Sequence, residues 1–530
     1  MKKSIKSSCN PILTKFPALS LGLSVAALSL LGSHSAIAAS NIFTMTGNDP
    51  GGTSSFNGAG TSPAGWSPAG APTAGTGGDT NDYVTAFEMR GLSTGTFAGD
   101  SLTLNSGAFL HGKMNGTLTF NGAGLFLNGG MIVQANSFGS GAVFAIAGTI
   151  TANASTTTTL GSTGGESLEI SGTIGGSGNL TIGGSANGQN VISFVKLSGA
   201  NGITGTVSVV TPGGGIESAT NRLLQLNNVD ALQNATLELT GGGGQANLVS
   251  FSSASNTGTY NIGALSGAAD QALTDTASTA VAISVGANNA STTYSGVLSG
   301  AGSLTKVGST GTLTLSNTNT YTGDTTVAAG VLAVNGNAIA DTNKLVINGG
   351  KVNPMGATEV VNTLYFGATQ QAGGKTYGSL ASDADIKNDT YFVIGSTGKV
   401  SVTTGPVAGY TAWANANGAN GQTKDLDHDN DGVDNGIEYF MGETDSTFTA
   451  TPALVGGSTG TVTWPMASSY ANSANYGTSY LVQTSPDLVT WTQAPQSTGP
   501  NTVTVTAGVS VVYTMPASGT KLFVRLVVNN

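Results

Sequence analysis

"SLTKVGSTGTLTLSNTNTYTGDTTVAAGVLAV", residues 303–334, is written as short runs alternating apolar residues with Thr, Ser or Lys, cut apart by Gly and Asn. Leu304-Thr305-Lys306 and Leu313-Thr314-Leu315 each last only a few residues before a turn intervenes. Period-two alternation over so short a run is the mark of a strand with one buried face. The punctuation, with Gly, Asn and Ser clustered, is turn chemistry. A 3.6-residue apolar period is absent.

The same pattern runs from about residue 100 to 400 in words such as "SLTLNSG", "LFLNGG", "LEISG" and "LVING". Some words are copies of one another. "SGTIGGSGNLTI" from Ser171 matches "SGVLSGAGSLTK" from Ser295 at six of twelve positions, and "LSGANGITGT" from Leu197 matches "LSNTNTYTGD" from Leu315 at five of ten. "LFLNGGMI" at Leu125 and "LVINGGKV" at Leu345 also correspond. Short strands, sharp turns and recurring words imply a β-solenoid, whose rungs stack on one another.

Composition agrees. Charged residues are 8% of the chain and Gly is 80 of 530, against about 25% charge in ordinary globular proteins. Rungs about 4.8 Å apart bring equivalent positions face to face. Like charges would repel there, whereas Thr, Ser and Asn can hydrogen-bond along the stack.

Residues 303–334 resemble the autotransporter-associated β-strand repeat. The matching features are Leu304-Thr305-Lys306, Gly311 to Leu315, Asn319-Thr320-Tyr321-Thr322-Gly323, Thr325-Thr326-Val327 and Gly330. The resemblance implies an all-β, right-handed parallel β-helix, exported and shown at the surface of a Gram-negative-type bacterium or released from it. It implies no catalytic residues. A membrane barrel, the usual end of an autotransporter, needs many strands of about ten residues. Only about eighty residues follow the acidic cluster described below, so a passenger without its own barrel is expected.

The expected organisation is a signal peptide at 1–38, a cap region at 39–99, the solenoid at 100–404, a calcium-loop junction at 405–447 and a small β-sandwich at 448–530. Lys2, Lys3, Lys6 and Lys15 precede an apolar core from Ala18 to Leu31, and Ala36-Ile37-Ala38 is a cleavage signal. Cleavage would remove four Lys and the one cysteine, Cys9, taking the net charge from −10 to 13 − 27 = −14. An acidic chain with three Arg offers no basic patch for nucleic acid. No apolar run in the body approaches the ~20 residues of a spanning helix.

Charge returns in "DLDHDNDGVDNGIE", residues 425–438. Residues 427–438 carry the spacing of the twelve-residue EF-hand calcium loop. Asp427, Asp429 and Asp431 take positions one, three and five, and Gly432 the turn at six. The Val433 carbonyl takes position seven, Asn435 nine, and Glu438 the bidentate position twelve. Ca²⁺ prefers six to eight hard oxygens, which this run supplies. Gly418 and Gly421 break the approach, and only "GIEYFMG" offers an outgoing turn, so a single structural loop is expected, with His428 facing solvent. The alternative is a solvated acidic linker. Asp383, Asp385 and Asp389 read as turn chemistry.

The expected function is a non-enzymatic, adhesive passenger touching a surface glycan or another envelope component, its oligomeric state open. Two alternatives stand beside it. A polysaccharide-active β-helix would need facing carboxylates, with Glu166 and Glu169, or Glu217 and Asp230, as the available pairs. Arg222 is the one Arg between residues 101 and 400. A carbohydrate-binding module would place Trp464, Tyr480 and Trp491 on one exposed face; the competing reading buries them in a core.

Overall fold

The computed structural model describes residues 39–49, 65–91, 94–134, 141–163, 165–183, 185–186, 189–190, 194–211, 223–241, 247–406, 409–442, 460–468, 470, 472–516 and 522–529. The expected signal peptide, Glu217, Arg222 and the start of the expected sandwich at 448–459 lie outside them.

Alternating runs become strands that pair in parallel with the run one turn later. Three ladders result. In the first, Tyr83, Leu102, Leu125, Ile150 and Ile174 stack in register. Backbone hydrogen bonds at Gly202 and Asn201 carry this ladder past Asp230. It resumes where Leu232 pairs with Ile262, and from Tyr260 on that same strand it continues through Ile283, Leu304, Thr325, Leu345 and Leu364. In the second, Met89, Leu110, Ile132, Leu160, Ile182, Val209 and Leu239 stack, all at 0% exposure. The third runs through Leu118, Ile146, Ile170, Leu197, Leu226 and Phe251. Together they make a parallel β-solenoid of about ten turns. Each fully buried aliphatic side chain contributes about 1.5–3 kcal/mol of transfer free energy, and one continuous apolar core fills the interior.

Residues 303–334 show how a turn is built. Ser303–Lys306 and Thr325–Val327 belong to the first ladder, Thr312–Leu315 and Val331–Val334 to the second. Between them Asn319 is buried at a corner. Its Oδ1 accepts the Leu298 N–H of the preceding turn at 2.7 Å, and its Nδ2 donates to the Ala338 carbonyl of the following turn at 2.6 Å. Buried peptide groups at the corners need partners, and one side-chain amide serves two turns. The fully buried Lys306 donates to the Val307 and Gly308 carbonyls. At Gly330, φ is +64° and an added Cβ would lie 2.4 Å from the Gly308 carbonyl oxygen, so the corner requires glycine.

Outward positions follow the charge argument. Thr159, Thr181 and Ser208 stack outward on the second ladder, and Asn128 donates to Asn105 at 2.7 Å. Where charge does occur on the third ladder, Glu169 faces Lys196, its opposite.

Both ends of the stack differ from the expected boundaries. Ser40–Met45 already pairs in parallel with Thr80–Thr85, and Glu88–Gly91 opens the second ladder. Rungs therefore begin inside the segment whose Pro and Gly content suggested a cap. At the other end Thr358–Val361, Lys399–Val402, Lys375–Gly378 and Ile386–Lys387 form a four-stranded sheet. Tyr391 stacks on Phe366 at 3.9 Å over the last core residues. The second acidic run sits here as turn chemistry: Asp385 accepts from the Thr376 N–H and hydroxyl, Asp389 from the Leu380 N–H, and Asp383 pairs with Lys399.

Beyond the solenoid, two three-stranded antiparallel sheets pack together. One orders Thr461–Pro465, Ser510–Thr514 and Thr502–Thr506; the other Thr492–Gln493, Tyr480–Ser485 and Phe523–Val528. Their shared core includes Trp464, Tyr480 and Val482, and also Tyr439 and Phe440 from the helix Asn435–Met441. The acidic segment is thus built into the C-terminal module. No helix among the described residues is long and apolar enough to cross a membrane.

Candidate metal centre

Two short helices, Tyr410–Ala416 and Asn435–Met441, flank the acidic loop. Gly418 and Gly421, at φ +82° and +78°, end the first helix and turn the chain toward the loop. Asp434 adopts extended backbone immediately before the second helix. Gly442 closes it in the left-handed region, with its N–H donating to the Glu438 carbonyl, a common helix stop.

Asp427, Asp429 and Asp431 each bring a carboxylate oxygen within 4.8 Å of the other two. Backbone donors hold this arrangement. Asp427 accepts the N–H groups of Asn430, Asp431 and Gly432 at 2.8, 3.2 and 2.8 Å. Asp431 accepts the Val433 N–H at 2.8 Å, and Asp429 the Asp431 N–H at 3.2 Å. Gly432 has φ +93°, the conformation expected at position six. Among the described residues the cluster consists of those three carboxylates.

The other expected ligands stand differently. Val433 is buried. Asn435 is buried and ties the loop together: its Oδ1 accepts the His428 N–H at 3.1 Å, while its Nδ2 donates to Gln422 Oε1 and the Thr423 carbonyl. Glu438, in the first turn of the second helix, is fully buried and lies outside the triad's 4.8 Å cluster. His428 is half-buried, with Nδ1 2.7 Å from Gln422 Nε2, and does not simply face solvent.

Negative charge is concentrated here. Burial, reinforced by the Asp425 and Asp427 charges, pushes the Asp434 carboxyl above the usual carboxylate range. A hard cation fits this chemistry: three clustered carboxylates, oxygen donors only, and a loop already turned around them. Asp427, Asp429 and Asp431 would hold it, and its charge would offset their mutual repulsion.

The other candidates separate. Trp464 and Tyr480 lie in the core at 6% and 0% exposure, so the three-aromatic sugar platform does not form. Trp491 is half-buried under the Arg525 guanidinium, 4.1 Å from its ring. Glu166 is buried; Glu169 accepts the Ser198 hydroxyl at 2.7 Å and Asp230 the Asn261 amide at 2.7 Å. On the outer face near the N-terminal turns, Glu88 meets both Arg90 and His111 at 2.9 and 3.1 Å. Their spacing of 2 and 21 residues matches no local motif, and only parallel stacking brings Arg90 and His111 side by side.

Residues 304–334 match the passenger-associated transport repeat. The match covers one and a half turns of the solenoid, including Lys306, Asn319, Tyr321 and Gly330. This repeat and the solenoid are consistent with a secreted or surface passenger of a Gram-negative bacterium. Neither the curated proteins nor the solved structures give a match to the chain.

Proposed function

We propose that the chain is a non-enzymatic, adhesive passenger whose solenoid carries the C-terminal β-module away from the cell. The observation that carries this reading is the passenger repeat folded as consecutive solenoid turns. A stack of like turns resists bending and presents its end module at a distance. The engaged or buried carboxylates of the rod favour a structural role over hydrolysis. Ca²⁺ bound by Asp427, Asp429 and Asp431 braces the loop from which the Asn435–Met441 helix enters the module core. The contact partner is a surface glycan or another envelope component.

The test has two parts. Antibody against the C-terminal module should label intact cells or the culture medium; a chain confined to the periplasm overturns the passenger reading. Purified full chain should then bind whole cells or arrayed glycans without releasing new reducing ends, whereas glycan cleavage would overturn the non-enzymatic assignment.

A further inference from the structure

The strands Thr492–Gln493, Tyr480–Ser485 and Phe523–Val528 turn one face toward the module core and the other away from it. Tyr480, Val482 and Leu526 lie in that core, so strand alternation points Gln483, Gln493 and Arg525 outward. Register sets these three in one row, because Gln483 pairs with Gln493 on one neighbouring strand and with Arg525 on the other. Trp491, two residues before Gln493, stands on the same face under the Arg525 guanidinium.

An exposed arginine ordinarily keeps its rotamer freedom, but this one is held. Its Nε and Nη2 donate to Gln483 Oε1 at 2.9 and 2.7 Å, and its guanidinium carbon lies 4.1 Å from the centre of the Trp491 ring. The side chain therefore crosses the central strand toward Trp491, away from the sheet edge where Lys424, Asp425 and Asp434 lie. Gly477, at φ +87°, leaves room for Gln493, since an added Cβ would lie 2.9 Å from its Nε2.

Hydrogen-bonding capacity narrows the ligand. Both lone pairs of Gln483 Oε1 are taken by Arg525. The remaining guanidinium N–H groups, the Gln483 amide N–H groups and the Trp491 indole N–H have no partner among the described residues. Of the four side chains only Gln493 offers a free acceptor. No carboxylate forms an ion pair with Arg525 among the described residues. Donors are in excess on this face, and one of them is a fixed, planar cation. Such a surface suits a ligand rich in oxygen acceptors that also carries a carboxylate, which a guanidinium meets in two-point geometry. Resting on the adhesive reading above, we propose that this face is the glycan site of the module and selects oligosaccharides bearing an acidic sugar. The sugar carboxylate meets Arg525, and its hydroxyl and ring oxygens accept from Gln483, Gln493 and the Trp491 N–H.

The test applies the full chain to arrayed uronate-bearing, sialylated and neutral oligosaccharides, then compares the best binder with its carboxyl-reduced counterpart by calorimetry. Binding should be confined to acid-bearing sugars, and carboxyl reduction should weaken it about tenfold. Trp491→Ala and Arg525→Gln should each weaken it to a similar degree. Arg525→Lys keeps the charge but loses the planar fork and the stacking, so it should not restore affinity. If Trp491→Ala misfolds, Gln493→Ala at the exposed end of the row should still weaken binding. Glycan or cell binding that these variants leave unchanged would overturn the site while adhesion stands. Equal binding of the acidic sugar and its carboxyl-reduced form would overturn the acidic selection. A chain that binds neither cells nor any arrayed glycan would overturn the site and the adhesive reading together.

Discussion

Phe440 and Tyr480 meet with ring centroids 5.1 Å apart, so the helix leaving the acidic loop is anchored in the core of the C-terminal module. Phe440 is fully buried. Phe440→Ala should cost the module about 3–5 kcal/mol while leaving the solenoid transition in place, as read by calorimetry of the full chain.

The same anchoring couples the loop to the module. Extracellular calcium loops bind at about 10⁻⁴ to 10⁻³ M, so 10 mM Ca²⁺ should stabilise the module by about 1.4–2.7 kcal/mol. Asp427→Asn removes the carboxylate that gathers three backbone N–H groups and should abolish the shift. A chelator that changes neither the module's melting nor its proteolysis would refute calcium bracing.

Asn319 connects three successive turns through Leu298 and Ala338. Asn319→Leu keeps the branching at Cγ but leaves a buried N–H and a buried carbonyl unpaired, at about 1–3 kcal/mol each. Denaturant unfolding should show early loss of the turns around residues 298–338. Asn319→Asp should lose the bonds to the Ala338 and Asn317 carbonyls and also bury a charge, so its penalty should grow with pH.

Glu359 predicts a pH dependence. Its carboxyl is fully buried and accepts the Ala338 and Ile339 N–H groups at 3.1 and 2.7 Å. Burial outweighs those bonds and pushes it up to about 7 from an ordinary 4.5. Between these values the folded chain binds more protons than the unfolded chain, so stability falls as pH rises. The loss should begin near pH 4.5, reach about 3 kcal/mol and level off above pH 7. Glu359→Gln should flatten this slope in melts taken from pH 4 to 8.

Much of the fold was legible in residues 303–334, because strand alternation and turn residues are local signals. The register of the internal copies was less so. Ile174 and Leu180 lie on the first and second ladders, while their sequence counterparts Leu298 and Leu304 lie on the third and first. Leu197 and its counterpart Leu315 are likewise one face apart. All three faces present the same alternation to one core, so the words repeat without encoding which face they occupy. At the candidate site the Asp427, Asp429 and Asp431 cluster followed from spacing alone. The engagement of Asn435 with Gln422 and Thr423 depends on how the incoming chain folds back, and the meeting of Arg90 and His111 at Glu88 depends on parallel stacking of two turns. Neither is written in a local motif.

The exclusion of charge from the rod is itself testable at Thr159 and Thr181, which face each other outward on adjacent turns of the second ladder. Both are half-buried, so two carboxylates there would sit about one rung spacing apart with partial solvent screening. Thr159→Asp combined with Thr181→Asp should destabilise the rod by about 1 kcal/mol beyond the sum of the single changes. Replacing the second Asp by Lys should reverse the sign of that coupling, as the Glu169 and Lys196 arrangement implies. High salt should shrink both couplings, since screening acts on exposed charge. A double-mutant cycle measured by denaturant unfolding decides the matter: coupling near zero for Asp–Asp and Asp–Lys alike would mean that stacking does not disfavour like charge, and the low charge of the solenoid would need another cause.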